Sequence, residues 1–475
     1  MENRIALSVL AGSLVVYLLY RRWSKISISD VPGPRWQSFW TGNIKQLRHE
    51  EVITMDTEWQ TNFGNVARIW YPFGREALWI SDPQAMKYIL QKSGYAFEKI
   101  PERRIAAKLI GDGGLDGADA KTHQRQRRLM DPAFGTPTVR LQSSSMTFIA
   151  NKSVSTQLCA QWTQLVDNSS DGTTCGVNVA RGLSCATVHT VCDALFGYRT
   201  GCLENEDNEL AKGYMNFLTV CASRPSSLRL MFETLAEYLT VPIASALYLN
   251  LPTRVAAKLR FNRNVAHRVA EELLETKLSQ GLPRTDKRDL MSIFAQACKS
   301  MHAHSRMSRY EVISQVRTIM FAGSETTTNA LSFALLELAK YPHYQRRLRS
   351  EIRAMEETVR ARGDEISPAE VEAMPFLQAF IKEVLRLHPL VPYMYRQPVA
   401  NDIIPLSKPI TTRSGQVIHE LPVPAGLRLV LSIPSCNRDI WGEDAEIFNP
   451  DRYLIPPRER TIVIEHSENC SVSVH

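Results

Sequence analysis

Between Arg309 and Lys340 apolar residues recur at three- and four-residue spacing, the pattern of a helix that lays one face on a core. Its centre reads Ile319-Met320-Phe321-Ala322-Gly323-Ser324-Glu325-Thr326-Thr327-Thr328-Asn329-Ala330-Leu331, a run that local preference alone would not choose. Glycine inside a helix costs about 1 kcal/mol against alanine, and three successive β-branched threonines are mediocre helix formers. Ala322 and Gly323 would let a flat cofactor or a small molecule approach the backbone. Glu325 beside Thr326 supplies an acid and a hydroxyl suited to relaying protons. Taken alone, the segment also reads as a polar break in a core helix, with Glu325 at a solvent-filled bend.

The rest of the chain is mainly α with a small β portion. Helical spacing continues through Ala256–Leu278 and Tyr344–Arg362. Val66–Trp70 and Ala77–Ile80 flank Pro72-Phe73-Gly74-Arg75 as a two-strand hairpin, and Pro422–Gly426 followed by Leu427–Leu431 reads as a turn and a short strand. Hydrophobic residues at 44% and charged residues at 22% exclude disordered and collagen-like classes. With no repeat and no Gly/Ser linker, residues 36–475 read as one large domain. The net charge of +7 comes from dispersed basic residues, which argues against nucleic acid and suits an acidic protein or an anionic membrane. Nine cysteines without a C-x-x-C pair argue against a disulfide framework or a zinc site and for a reducing compartment, most of them serving as small buried hydrophobes.

Ile5–Tyr20 carries no charge and is closed by Arg21, Arg22 and Lys25. As a helix it would span about 24 Å, close to the thinner endoplasmic-reticulum bilayer. Residues 1–22 therefore read as a single-pass anchor, and the positive flank keeps the remainder of the chain on the cytosolic side. Residues 23–35, with Val31-Pro32-Gly33-Pro34, read as a proline-rich elbow.

Several charged residues stand at telling spacings. Glu383 and Arg386 share a helix face, as do Glu357 and Arg360, and as do His123 and Arg127 four residues apart. Arg396 lies in Val391-Pro392-Tyr393-Met394-Tyr395-Arg396. Each of these alone is explained equally well by solvated surface charge.

In order along the chain they resemble the cytochrome P450 superfamily of haem-thiolate monooxygenases, in its fungal membrane-anchored form. Ala322-Gly323-Ser324-Glu325-Thr326-Thr327 matches the central-helix signature A-G-x-[DE]-T-[TS] at every position. Glu383-Val384-Leu385-Arg386 matches E-x-x-R, and Phe448-Asn449-Pro450-Asp451-Arg452-Tyr453 resembles F-x-P-x-R-[FWY]. The resemblance implies haem, with Ala322 and Gly323 against the macrocycle. It implies Glu325 and Thr326 as catalytic proton-delivery residues and Glu383, Arg386 and Arg452 as a buried structural charge network. It also implies His123, Arg127 and Arg396 as partners of the haem propionates, a task for which the planar, permanently charged arginine fork is suited. The implied reaction oxidises an apolar small molecule, a terpenoid or another secondary metabolite, with O2 and electrons from NADPH. NADPH-cytochrome P450 reductase would dock at Lys121, Arg125 and Arg128. Segments 101–116 and 219–230 are expected as loops lining the substrate pocket.

The family's F-x-x-G-x-x-x-C-x-G loop does not follow Tyr453, so the fold is expected to be incomplete at its C-terminus. Cys470 lacks the phenylalanine and glycines that would wrap the backbone around its sulfur, and ligation by His466 would forfeit the electron push of a thiolate. No metal ligand is assigned. The alternative is a catalytically silent, membrane-tethered protein without ligated haem iron.

Overall fold

The computed structural model describes residues 26–49, 52–134, 146–169, 175–205, 207–221, 224–280, 290–302 and 304–454. The expected anchor Ile5–Tyr20 lies outside them, as do Cys470 and His466. The chain forms two compact units, one from the residues up to Ile100 with Val391–Gly442, the other from Pro101–Leu390 with the described residues from Glu443 onward.

The first unit is built on a five-stranded sheet. Strands β1 (Val66–Tyr71) and β2 (Arg75–Ile80) form the expected antiparallel hairpin, with Val66 opposite Ile80 and Tyr71 opposite Arg75. Its turn places Phe73 and Gly74 at positive φ, 63° and 66°. Beyond the short β3 (Phe97–Glu98), the chain returns through β4 (Tyr393–Pro398), the separate hairpin β5 (Asp402–Thr411) and β6 (Val417–Val423), and β7 (Arg428–Ser432). The sheet order is β1-β2-β7-β4-β3, with β2 and β7 parallel and Leu78 opposite Leu429. Ala77–Ile80 and Leu429–Leu431 are fully buried, as a central strand covered on both faces requires. The sequence had Pro422 and Val423 in a turn, but they complete β6. The turn starts at Pro424, where Leu427 N–H donates to its carbonyl.

Val31–Pro34 is packed onto this unit. Ile28 and Val31 are buried, and Arg68 N–H donates to Pro32 O at 2.8 Å. A Cβ on Gly33 would lie 1.9 Å from Arg68 O, so only glycine lets the two backbones approach. Below the sheet, helix α1 (Val52–Phe63) presents Asp56, whose carboxylate accepts from Trp79 Nε1 at 3.0 Å and Ser432 Oγ at 2.7 Å.

The second unit is helical. It opens with α2 (Pro101–Gly111) and α3 (Ala120–Phe134), then α4 (Val179–Phe196), α5 (Glu209–Tyr214) and α6 (Phe217–Cys221). The long α7 (Arg254–Ser279), α8 (Arg309–Lys340), α9 (Pro342–Ala361) and α10 (Pro375–Leu387) follow. Helix α8 has the bounds that its periodicity predicts and starts on a capping box formed by Ser308 and Glu311. Val188 and Cys192 of α4, Ala266 and Ala270 of α7, and Val316 and Met320 of α8 meet in its main core.

Two expected loops are instead largely helical. Pro101–Gly111 has proline at its first position, Glu102 in its first turn, and Ile105 and Leu109 buried one turn apart. In the other, α6 is followed by the helix Ser227–Ala236, whose Ser226 cap accepts from Arg229 N–H. Each is too short for periodicity to distinguish it from a loop.

Candidate active site

The centre of α8 is continuous helix, so the alternative of a polar break with a solvent-filled bend at Glu325 does not hold. Its poor helix formers are accommodated by hydroxyl groups that bond back one turn: Ser324 to Met320 O at 2.5 Å, Thr326 to Ala322 O and Thr327 to Gly323 O at 2.7 Å, and Thr328 to Ser324 O at 2.9 Å. Gly323 also departs from expectation. A Cβ there would sit 3.0 Å from Val191 Cγ2 of α4, so the room it leaves is taken up by helix packing. Ala322, one residue earlier, is exposed.

Successive helical residues point about 100° apart, so Glu325 and Thr326 face different directions. Thr326 lies with Ala322 on the more open side. Glu325 is only 8% exposed, and burial pushes its carboxyl up to about 7, against the pull of the Leu218 N–H, the Lys258 ammonium and the Phe217 N–H. A carboxyl with that affinity both gives and takes a proton near neutral pH. Tyr214 of α5 and Cys221 of α6 feel its charge, and burial pushes both groups up, Cys221 to about 11.

Glu383 is fully buried on α10. It accepts from Arg386 Nε at 2.7 Å and Nη2 at 2.9 Å, from Arg452 Nε at 3.0 Å and from Asn449 N–H at 2.7 Å. Arg386 also donates to the carbonyls of Ala445 and Ile447, and Arg452 to those of Asp444 and Ile447. The three residues named from the sequence therefore stand together. Glu357 and Arg360, at the same spacing on α9, are exposed.

His123 and Arg127 lie on α3, both half-exposed, with Arg127 Nε 3.7 Å from Asp131 Oδ1. Arg125 is tied to Glu311 and to the Arg306 carbonyl, while Lys121 and Arg128 stay exposed. Arg396 belongs to β4 of the other unit, where it is partly buried and donates to Tyr395 O at 2.9 Å.

Single exposed apolar side chains occur on two helices of the second unit. Leu331, Phe333, Leu335 and Leu336 of α8 and Ile381 and Leu385 of α10 are exposed, although both helices are central to their unit. Within this unit, exposed apolar side chains and the basic His123 and Arg127 have the chemistry that a porphyrin with charged edges would need. Cys470 and His466, neither of them assigned as an iron ligand, lie outside the described residues, and the buried thiol of Cys436 packs in the core of the first unit.

Sequence reasoning missed Lys258 of α7, which donates to the carbonyls of Lys212 and Met215 and lies within charge range of Glu325. Nothing in its local sequence distinguishes it from a solvated helix lysine, because its partners come from another helix.

A family model described as Cytochrome P450 matches residues 31–463. Cytochrome P450 monooxygenase claQ of Ampulloclitocybe clavipes is 27% identical over 429 residues, covering 89% of this chain and 76% of that relative. Cytochrome P450 monooxygenase claO of the same fungus is 28% identical over 463 residues, or 95% and 82%. Cytochrome P450 monooxygenase 81 of Postia placenta is 27% identical over 461 residues, or 94% and 81%. A signature helix carrying a buried acid, a buried Glu-Arg-Arg network and a match across most of the sequence lead to one conclusion: the chain belongs to the cytochrome P450 family.

Proposed function

We propose that this protein is a haem-dependent monooxygenase that hydroxylates, or otherwise oxidises, an apolar small molecule such as a terpenoid or another secondary metabolite, using O2 and NADPH-derived electrons passed on by NADPH-cytochrome P450 reductase. The observation that carries the reading is Glu325, a buried acid with a proton affinity near neutrality, followed in sequence by Thr326 on α8. Haem, when bound, supplies the activation of dioxygen. The chain's own residues do the rest. Glu325 holds and releases a proton at its carboxylate. Thr326, its hydroxyl hydrogen committed to Ala322 O, keeps oxygen lone pairs to accept a hydrogen bond. His123, Arg127 and Arg396 are each suited by charge or hydrogen bonding to a propionate, and Glu383, Arg386 and Arg452 hold the fold in place. Lys121 and Arg128 remain available to an acidic reductase, whereas Arg125 is committed to Glu311.

Location at the endoplasmic-reticulum membrane, with the catalytic part cytosolic, follows from Ile5–Tyr20 and its basic flank. Among the described residues no helix is long and apolar enough to cross a membrane. Exposed apolar side chains support surface association: Leu228, Tyr238 and Ile243 in the helical unit, and Trp36, Phe39 and Trp40 in the sheet unit.

In a reduced, carbon-monoxide-bound difference spectrum of the full chain purified from yeast membranes, the Soret band of thiolate ligation would support the enzyme. Failure to take up any haem would overturn the reading and leave a silent, membrane-tethered protein. In protein that does take up haem, Glu325→Gln is expected to lower turnover about 100-fold.

A further inference from the structure

The arginines of α9 do not share one fate. Arg347 is engaged: its Nη1 lies 2.5 Å from Asp451 Oδ1, and its guanidinium stacks 4.1 Å from the centre of the Phe376 ring. Arg346, Arg349 and Arg353 are exposed and form no ion pair with any of the described residues, and Arg349 reaches only Gln345 Oε1 at 3.4 Å. At about 100° per residue, Arg346, Arg349, Ser350 and Arg353 fall within roughly 100° of the helix circumference. With Ala354 and Glu357 they line a groove of about 410 Å³. Like charges three and four residues apart repel, so this row of arginines weakens its own helix unless something offsets it. The nearby acids do not. The Glu351 carboxylate is turned to α10, where it accepts from the Phe376 and Leu377 N–H groups, both at 2.8 Å, and Asp451 is held by Arg347. Within the groove Glu357 alone opposes three guanidinium groups.

We propose that this groove binds a soluble ligand carrying two or more adjacent phosphates, gripped by Arg346, Arg349 and Arg353. The planar arginine fork matches phosphate oxygens bidentately and stays charged at any physiological pH. A single carboxylate would satisfy one guanidinium and leave the others repelling, whereas linked phosphates bring several negative charges into a compact group. Arg346 and Arg353 are about 10.5 Å apart along the axis, a span that their long side chains close by converging on one ligand. The Ser350 hydroxyl, in the same arc, adds a neutral donor. Glu357 repels phosphate from its end of the groove and so directs it toward Arg346. The volume lies within the roughly 300–1,000 Å³ of small-molecule sites. None of the exposed large apolar side chains among the described residues belongs to α9, which favours a ligand in solution over a bilayer surface. The groove does not depend on the oxidase reading.

Isothermal titration of the full chain in detergent with sodium pyrophosphate tests the site. Saturable binding of one pyrophosphate per chain is expected, with inorganic phosphate about 10-fold weaker. Arg349→Gln and Arg353→Gln should each weaken pyrophosphate about 10- to 100-fold, the effect of losing a hydrogen bond to a charged group. Arg360→Gln removes the same charge from the same helix, two turns beyond Arg353 and outside the groove, and should change the affinity by less than about 3-fold. The replaced side chains are exposed, so thermal midpoints should stay at the parent value; if an arginine variant does not fold, Ser350→Ala, expected to weaken binding about 3- to 10-fold, decides in its place. Absence of saturable binding in the parent chain, or an equal loss in Arg360→Gln, overturns the proposal. So does displacement of pyrophosphate by polyglutamate or by anionic lipid vesicles at matched charge, which would assign the groove to an acidic protein or to a membrane.

Discussion

Asp56 illustrates how one side chain can set the response of a unit to pH. Burial raises its carboxyl to about 6, against the stabilising hydrogen bonds from Ser432 and Trp79. In the unfolded chain it titrates near 4. Below pH 4 both states hold the proton and its burial costs no charge. As pH rises from 4 through 6 the unfolded state ionises first, so native stability declines across that window by roughly 3 kcal/mol. Asp56→Asn should abolish this decline, and urea unfolding of parent and variant at pH 4.5 and 7 would show it; parallel pH trends would refute the assignment. Neither Asp56 nor Lys258 could be picked out beforehand. Their environment is set by Trp79, Ser432 and Met215, which only the tertiary fold brings near. Glu325, Glu383 and Arg452 were legible because each sits in a short run whose residue types and order along the chain resemble a family pattern.

Among the elements, α8 was the most legible, since a long amphipathic pattern with a capping serine leaves little freedom in where the helix starts and stops. Its centre was not. Its hydroxyls bond back to the preceding turn while the helix stays continuous, and those bonds depend on rotamers that composition does not reveal. Helix α10 shows the opposite case: a Glu and an Arg three residues apart, uninformative on α9, become a buried network when Arg452 approaches from a distant turn. Glu383→Gln should destabilise the protein by about 3–5 kcal/mol, because the buried Arg386 guanidinium would lose its counter-charge and Arg452 would keep only the half-exposed Asp444, 3.1 Å away. Glu357→Gln, on the exposed face of α9, should cost less than about 0.5 kcal/mol. Thermal unfolding of both variants checks the contrast, and equal losses would refute it.

At the scale of the whole molecule, exposed apolar side chains imply a surface that does not face water alone. In the helical unit Leu228 and Tyr238 are 76% and 71% exposed. Replacing Leu228, Tyr238 and Ile243 by serine in the full chain should reduce the fraction of protein that enters tightly curved vesicles, measured by flotation, while leaving the helical circular-dichroism signal unchanged. An unaltered distribution would mean that this patch serves another purpose. The mainly α class with a small β portion was legible from the sequence, whereas the strand order was not, because β7 joins β2 from about 350 residues further along the chain. That pairing bears on how the protein is made. At a synthesis rate of roughly 5–20 residues per second, Leu78–Ile80 leave the ribosome some 20–70 seconds before their partner strand exists. For that interval a fully apolar strand edge is open to neighbouring nascent chains, so slowing elongation downstream of β2 should raise aggregation more than slowing it after β7.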